Sequence, residues 1–306
     1  MQSLLGRRSS TISSSIFNRV GNAIIASQNG TSTRNGTSTR TYSSQGRASP
    51  LEYSSSSVLK VSTDEEYAMA GLRKELMPKH VAIMLDGSRR WSKAQGKPLD
   101  YMPVLDTNVR FAEFCLKWGV AIASSGMFFL NNLRRGKEAN EFFFSHLERH
   151  LELNMEDFVR KNIRVTILGD KTLLPKSLQD IMKQVEEATS SSETKAQVEF
   201  KLAICYAGSR DIVLATRRLC EKAKAGLIEP DAVDEALFDQ ELSTRGTPPP
   251  DFCIRTGGHL RLSDCLTWQF ANTELYFTDI YGPEFTEDEF LKAMRSYQQR
   301  VRNFGK

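Results

Sequence analysis

The sequence predicts an α/β domain built on a central, mostly parallel six-stranded sheet flanked by helices. Three observations carry that prediction. From His80 onward, short apolar or β-branched runs alternate with longer amphipathic ones, the pattern of repeated strand-helix units. Roughly 230 to 250 residues remain after a low-complexity leader, a length that suits one domain with a sizeable core. No uninterrupted apolar stretch of about 18 residues occurs, so nothing reads as a membrane span.

The first 51 residues contain no Asp or Glu but six Arg among many Ser and Thr, the composition of a targeting leader rather than a fold. Without those six, 35 of the 41 Lys and Arg face 37 acids, so the excess positive charge belongs to the leader and gives no argument for nucleic-acid binding. The repeat NGTSTR, at Asn29–Arg34 and Asn35–Arg40, carries two glycosylation sequons that read as chance occurrences in such an arm. Cys115, Cys205, Cys220, Cys253 and Cys265 are odd in number and form no C-x-x-C pair. They read as small buried hydrophobes in a reducing compartment.

In order, the expected strands are Val81–Leu85, Val120–Met127, Arg164–Gly169, Val198–Tyr206, Phe252–Arg255 and Glu274–Phe277. Helical patterns fill Asp106–Trp118, Glu138–Lys161, Pro175–Thr189, Arg210–Ala225 and Asp231–Leu242. A last helix starts after Thr286, with Glu289 three residues on as a capping box. Within Glu138–Lys161, Phe143, Leu147, Leu151, Met155 and Phe158 recur every three or four residues, a face that suits core packing or the wall of a greasy pocket. His80, His146, His150 and His259 show no metal-ligand spacing, so zinc is not expected.

Ligands of such sheets collect at the carboxyl ends of the strands. Asp86 closes the first strand, Asn131 and Arg134 follow the second, and Arg255 closes the fifth. These suit one common rim, whereas Glu274 opens the sixth strand. Asp86-Gly87 alone suits an ordinary turn, but Ser88, Arg89 and Arg90 follow directly, with no further acid before Asp100. That cationic nest suits a polyanion, and a diphosphate with Mg²⁺ satisfies all its members. Arg255, Arg261 and Ser263 beside Gly257-Gly258 offer a second anion site, because glycine lets the backbone approach a ligand closely. Glu274, in an apolar and aromatic run, requires an ionic partner or a metal.

His80–Trp91 (HVAIMLDGSRRW) is similar to the HVAxIMDGNGRW motif of the cis-prenyltransferases, the family of undecaprenyl and dehydrodolichyl diphosphate synthases. Ile254–Asp279 resembles the family's IRTxGExRxSNFLxWQxAYxExYFTD motif, Arg164–Asp170 its VRxxxIGD strand and Ala207–Ile212 its YGGRxDI turn. The resemblance runs from Pro78 to Gly305. It implies a homodimeric, Mg²⁺-dependent enzyme acting on small allylic diphosphates. Asp86 then binds the metal and aids ionisation, while Gly87, Ser88, Arg89 and Arg90 cradle the allylic diphosphate. Asn131 takes part in proton removal, beside Arg134. Arg255, Arg261 and Ser263 hold the second diphosphate, with His259 placed to meet a phosphate, and Glu274 is a further metal ligand.

Several positions depart from the family pattern. Leu99 and Met102-Pro103 stand where the family has an Arg and a Gly-His pair, and Phe128-Phe129-Leu130-Asn131-Asn132 stands for Ser-x-Glu-Asn-Trp. His259 replaces a Glu, and Asn303-Phe304-Gly305 an Arg-x-Gly. Edits at both diphosphate sites, with both metal carboxylates kept, imply an irregular enzyme. It would join two dimethylallyl diphosphates into a branched ten-carbon product with release of diphosphate. A plastid transit peptide and disordered leader at 1–55 would precede a catalytic domain at 56–306. The alternatives are a regular short-chain synthase adding isopentenyl diphosphate to give a neryl or longer product, and a non-catalytic partner subunit, against which the retained Asp86 argues.

Overall fold

The computed structural model describes residues 60–190 and 196–303. The leader, its sequons and residues 304–306 lie outside the described residues. Six strands, β1 (His80–Met84), β2 (Ile122–Phe129), β3 (Ile163–Leu168), β4 (Val198–Tyr206), β5 (Phe252–Arg255) and β6 (Glu274–Phe277), form one sheet in the order β3-β4-β2-β1-β5-β6. Every pairing is parallel, so the sheet is wholly rather than mostly parallel.

Eight helices surround the sheet among the described residues: α1 (Asp64–Met69), α2 (Ser88–Ala94), α3 (Met102–Lys117), α4 (Lys137–Arg160), α5 (Lys176–Ser190), α6 (Gly208–Lys224), α7 (Glu235–Glu241) and α8 (Glu287–Gln298). Helix α8 begins at the expected cap, where the Thr286 hydroxyl accepts from the Glu289 amide. The stretch expected as one helix over Asp231–Leu242 is instead a 3₁₀ turn at Pro230–Ala232 followed by α7, which Asp234 caps through the Leu237 amide.

One face of the sheet packs Leu105, Phe111 and Leu116 of α3, Phe143, Leu147 and Leu151 of α4, Leu178, Met182 and Val185 of α5, and Phe290 and Met294 of α8 into the main core. On the other, Ala82, Met84, Ala203 and Cys253 meet Cys265, Leu266 and Phe270 from the loop before β6. Four of the cysteines are buried as expected; Cys220 is exposed on α6. No described helix is long and apolar enough to cross a membrane.

From β1 the chain moves outward to β2 and on to β3 at the edge, comes back to β4 between those two, then crosses to β5 on the far side of β1 and runs outward to β6. Connections leaving β1 and β5 therefore diverge, which opens a crevice at their carboxyl ends.

Candidate active site

At that crevice three loops meet. After β1, Gly87 adopts φ +107°, a left-handed conformation that glycine enters without strain, and α2 starts at Ser88. A Cβ on Gly87 would stand 2.5 Å from Cδ1 of Tyr281. The Asp86 carbonyl accepts from the Thr256 hydroxyl at 3.0 Å and from the Gly282 amide at 2.8 Å, tying the turn to the loops after β5 and β6.

The Asp86 carboxylate accepts from Arg255 Nη2 at 3.0 Å, with Arg90 Nη2 at 3.5 Å on its other oxygen. Arg255 is buried, and its Nη1 donates to the Ser263 hydroxyl at 2.7 Å and to the Arg261 carbonyl. Arg90 Nη1 donates to the Gly257 carbonyl at 2.6 Å, and its guanidinium lies over the Tyr281 ring. Arg90 Nη2 and Arg255 Nε, both buried, make no hydrogen bond. Such donors are costly to leave unmet and fit an acceptor supplied by a ligand.

These groups line a cavity of about 340 Å³. Five arginines (Arg89, Arg90, Arg135, Arg255 and Arg261) face it, with Asp86 as the one carboxylate among its lining residues. His259 lines it too. Partial desolvation, then Arg90 and Arg261, pull that imidazole below its ordinary value. Much of the rest of the wall is apolar: Tyr101, Val104 and Leu105 at the start of α3, Met127 and Phe129 of β2, and Phe143 of α4, with Asn108 and Asn132 as polar members. Tyr101 and Phe143 meet edge to face with centroids 5.0 Å apart. Of the apolar stripe on α4, Phe143 reaches the pocket while Leu147, Leu151 and Phe158 pack in the core, so both sequence readings of that face hold in part.

Gly87, Ser88, Arg89, Arg90, Arg255, His259, Arg261 and Ser263 thus meet around Asp86 as the sequence predicts. Two expectations fail. Asn131 and Arg134 are exposed and do not line the cavity; Asn132 and Arg135 do. The segment Leu130–Arg135 is a 3₁₀ helix, in which residues three apart eclipse, so each Asn shares a face with the Arg three residues on, and it is the second pair that lines the cavity, with Arg135 still partly in solvent. The Tyr101 side chain lies within electrostatic range of Arg135.

Glu274 is not brought to Asp86 within the chain. In the parallel register Phe252 faces Glu274 while Met84 faces Arg255, which puts Glu274 at the amino-terminal edge of the sheet and Asp86 beyond the carboxyl edge. There Arg300 Nη1 donates to Glu274 at 2.7 Å and Nη2 to the Leu275 carbonyl at 2.9 Å. The acid has the ionic partner that its position required. Among the described residues no group of three or more His, Cys, Asp or Glu is arranged to hold a metal.

A family model described as putative undecaprenyl diphosphate synthase matches residues 83–305. The chain belongs to the cis-prenyltransferase family. It is therefore a prenyl transferase by family. Cis-prenyltransferase 4, chloroplastic, of Solanum lycopersicum is 39% identical to it over 239 residues, 77% of each chain. Dehydrodolichyl diphosphate synthase 2 of Arabidopsis thaliana is 38% identical over 246 residues, 79% of this chain and 78% of the relative. Among solved structures, lavandulyl diphosphate synthase from Lavandula x intermedia, in complex with dimethylallyl diphosphate, superposes with a TM-score of 0.73. It is 33% identical and covers 76% of this chain and 100% of that one.

Proposed function

We propose that this cis-prenyltransferase condenses two dimethylallyl diphosphates into lavandulyl diphosphate with release of diphosphate. The observation that carries the reading is the juxtaposition, in one 340 Å³ cavity, of five arginines and an aromatic floor of Tyr101, Phe129 and Phe143. Such a space suits short prenyl groups held by their diphosphate heads. The likeness to lavandulyl diphosphate synthase supports the choice of product.

In this reading Arg89, Arg90 and Arg135 hold the allylic diphosphate beside Asp86, and Arg255, His259, Arg261 and Ser263 hold the second. A magnesium ion would fit as a companion of the diphosphate: Asp86 would supply one hard oxygen, beside the phosphate oxygens and water that such an ion takes. When bound it neutralises charge on the leaving diphosphate. The arginines, fixed before reaction, stabilise the same charge as the C1–O bond breaks. The apolar wall keeps water from the allyl cation. The double bond of the second molecule then forms the new carbon–carbon bond through its C2. The tertiary cation left at C3 loses a methyl proton. Asn132 cannot take it, since its amide is no base and its Oδ1 accepts from the Phe129 amide at 2.9 Å. The released diphosphate, still gripped by arginines, is the acceptor within reach.

The leader's composition and the chloroplastic relative support action in the plastid, with residues 1–55 as the transit peptide. The dehydrodolichyl relative favours a second reading, regular addition of isopentenyl diphosphate. Incubation with Mg²⁺ and dimethylallyl diphosphate alone, followed by chromatography of the dephosphorylated products, separates the two. Lavandulol is expected; strict dependence on isopentenyl diphosphate overturns the proposal.

A further inference from the structure

Strand β2 does not pair regularly with β4: the register shifts between Gly126 and Phe128 and again between Phe128 and Phe129. In an unbroken strand Met127 and Phe129 would point to the same face. Here Met127 and Phe128 both pack into the main core, and Phe129 turns to the opposite cluster, the side of Met84. Bulges beside active sites re-aim side chains in this way.

The re-aimed ring lies over Gly126. A Cβ at that position would stand 2.5 Å from Phe129 Cζ, 3.1 Å from its Cε1 and 3.3 Å from Met84 Cγ. Glycine within a strand marks such a close approach, so Gly126 is a slot for the phenyl ring. The Phe129 amide donates to Asn132 Oδ1 at 2.9 Å, which fixes the ring's backbone to a second cavity residue. Met84 precedes Asp86 by two residues and lines the same cavity. The ring therefore stands where a prenyl chain would leave a diphosphate held beside Asp86.

We infer that Phe129 is a specificity-determining residue: seated in the Gly126 slot, its ring limits the allylic substrate to a five-carbon chain by filling the space a longer one needs. The inference rests on, and deepens, the prenyltransferase reading above. Phe129→Ala opens that space and Phe129→Leu opens part of it. Gly126→Ala does the reverse, pushing the ring from its slot into the cavity.

The test measures kcat/KM of the full-length protein and its variants for dimethylallyl and geranyl diphosphates, with the second substrate that the wild type accepts, and melting temperatures alongside. A single misfitting methylene changes kcat/KM by roughly 10- to 200-fold. Phe129→Ala is thus expected to raise the geranyl-to-dimethylallyl ratio at least about tenfold, with Phe129→Leu between it and wild type. Gly126→Ala is expected to lower kcat/KM for dimethylallyl diphosphate. An unchanged ratio in both Phe129 variants overturns the inference, and so does wild-type five-carbon turnover in Gly126→Ala. Should Phe129→Ala fail to fold, Phe129→Leu decides. Because the ratio is read with whichever second substrate is used, it is independent of whether dimethylallyl diphosphate alone gives product, the result on which the functional reading turns.

Discussion

Asp86→Asn tests the centre of the site most directly. The substitution keeps the shape and one acceptor oxygen but removes the charge that faces Arg255, whose side chain is 5% exposed, against 33% for Asp86. A hydrogen bond between charged partners contributes about 1.5–3 kcal/mol. Solvent reaches a third of the carboxylate, so screening reduces the expected loss to about 1–2 kcal/mol. In a domain of this size that corresponds to a fall of about 2–8 °C in Tm. The variant cavity would also hold five arginines without a carboxylate, so metal-free inorganic diphosphate should raise its Tm more than that of the wild type. Turnover should fall at least about 100-fold, as when a preorganised electrostatic group is removed from an active site. Differential scanning fluorimetry with and without diphosphate, and product formation with Mg²⁺, give all three quantities. Near wild-type turnover, or a Tm indifferent to the substitution, would refute the assignment of Asp86.

Burial holds the His80 imidazole at about 4, against 6.5 when free, with Nδ1 donating to the Pro248 carbonyl and Nε2 accepting from the Ser124 hydroxyl at 2.7 Å each. The unfolded chain binds the proton first as pH falls, so stability should drop from about pH 6.5 through about pH 4, by ~3 kcal/mol in all. Urea melts across that range check it, and an equal slope in His80→Gln would remove His80 as the cause. Glu274→Gln should cost about 1 kcal/mol, since its bond to Arg300 is about a quarter exposed. An unchanged denaturation midpoint would show that the pair does not hold the C-terminal end of α8 to β6.

The strands were legible because each is a short run of apolar or β-branched residues, and the β1–α2 and β5 rims because glycine, acid and arginine cluster there locally. What failed was not local. The segment Asn131-Asn132-Leu133-Arg134-Arg135 doubles both of its chemical groups, so either Asn-Arg pair satisfies a three-residue spacing, and only the rotation of the 3₁₀ turn chooses between them. Glu274 opens its strand in the sequence as in the structure. Sheet direction alone argued against its meeting Asp86, and resemblance had outweighed that. Helix α1 went unread although Thr63 and Glu66 form a full capping box around its start, a signal present in four residues.

The departures at the start of α3 have one physical explanation. Leu99 and Met102, which stand where the family has cationic or hydrogen-bonding partners, pack against the main core, and Tyr101 between them is buried against Phe143. A charge placed there would lack a partner in apolar surroundings. Losing the cation and gaining a greasy floor are therefore a single change, and for the diphosphate proposed above it would mean fewer donors on that side. Arg135 is positioned to make up the deficit. It lies within electrostatic range of Tyr101, Arg89 and Asp86, and as an arginine it stays protonated at neutral pH although desolvation pulls its pKa down. In the reading proposed above, the turn after β2 would thus supply the charge that the turn before α3 has given up, and the prenyl chain would gain the apolar wall.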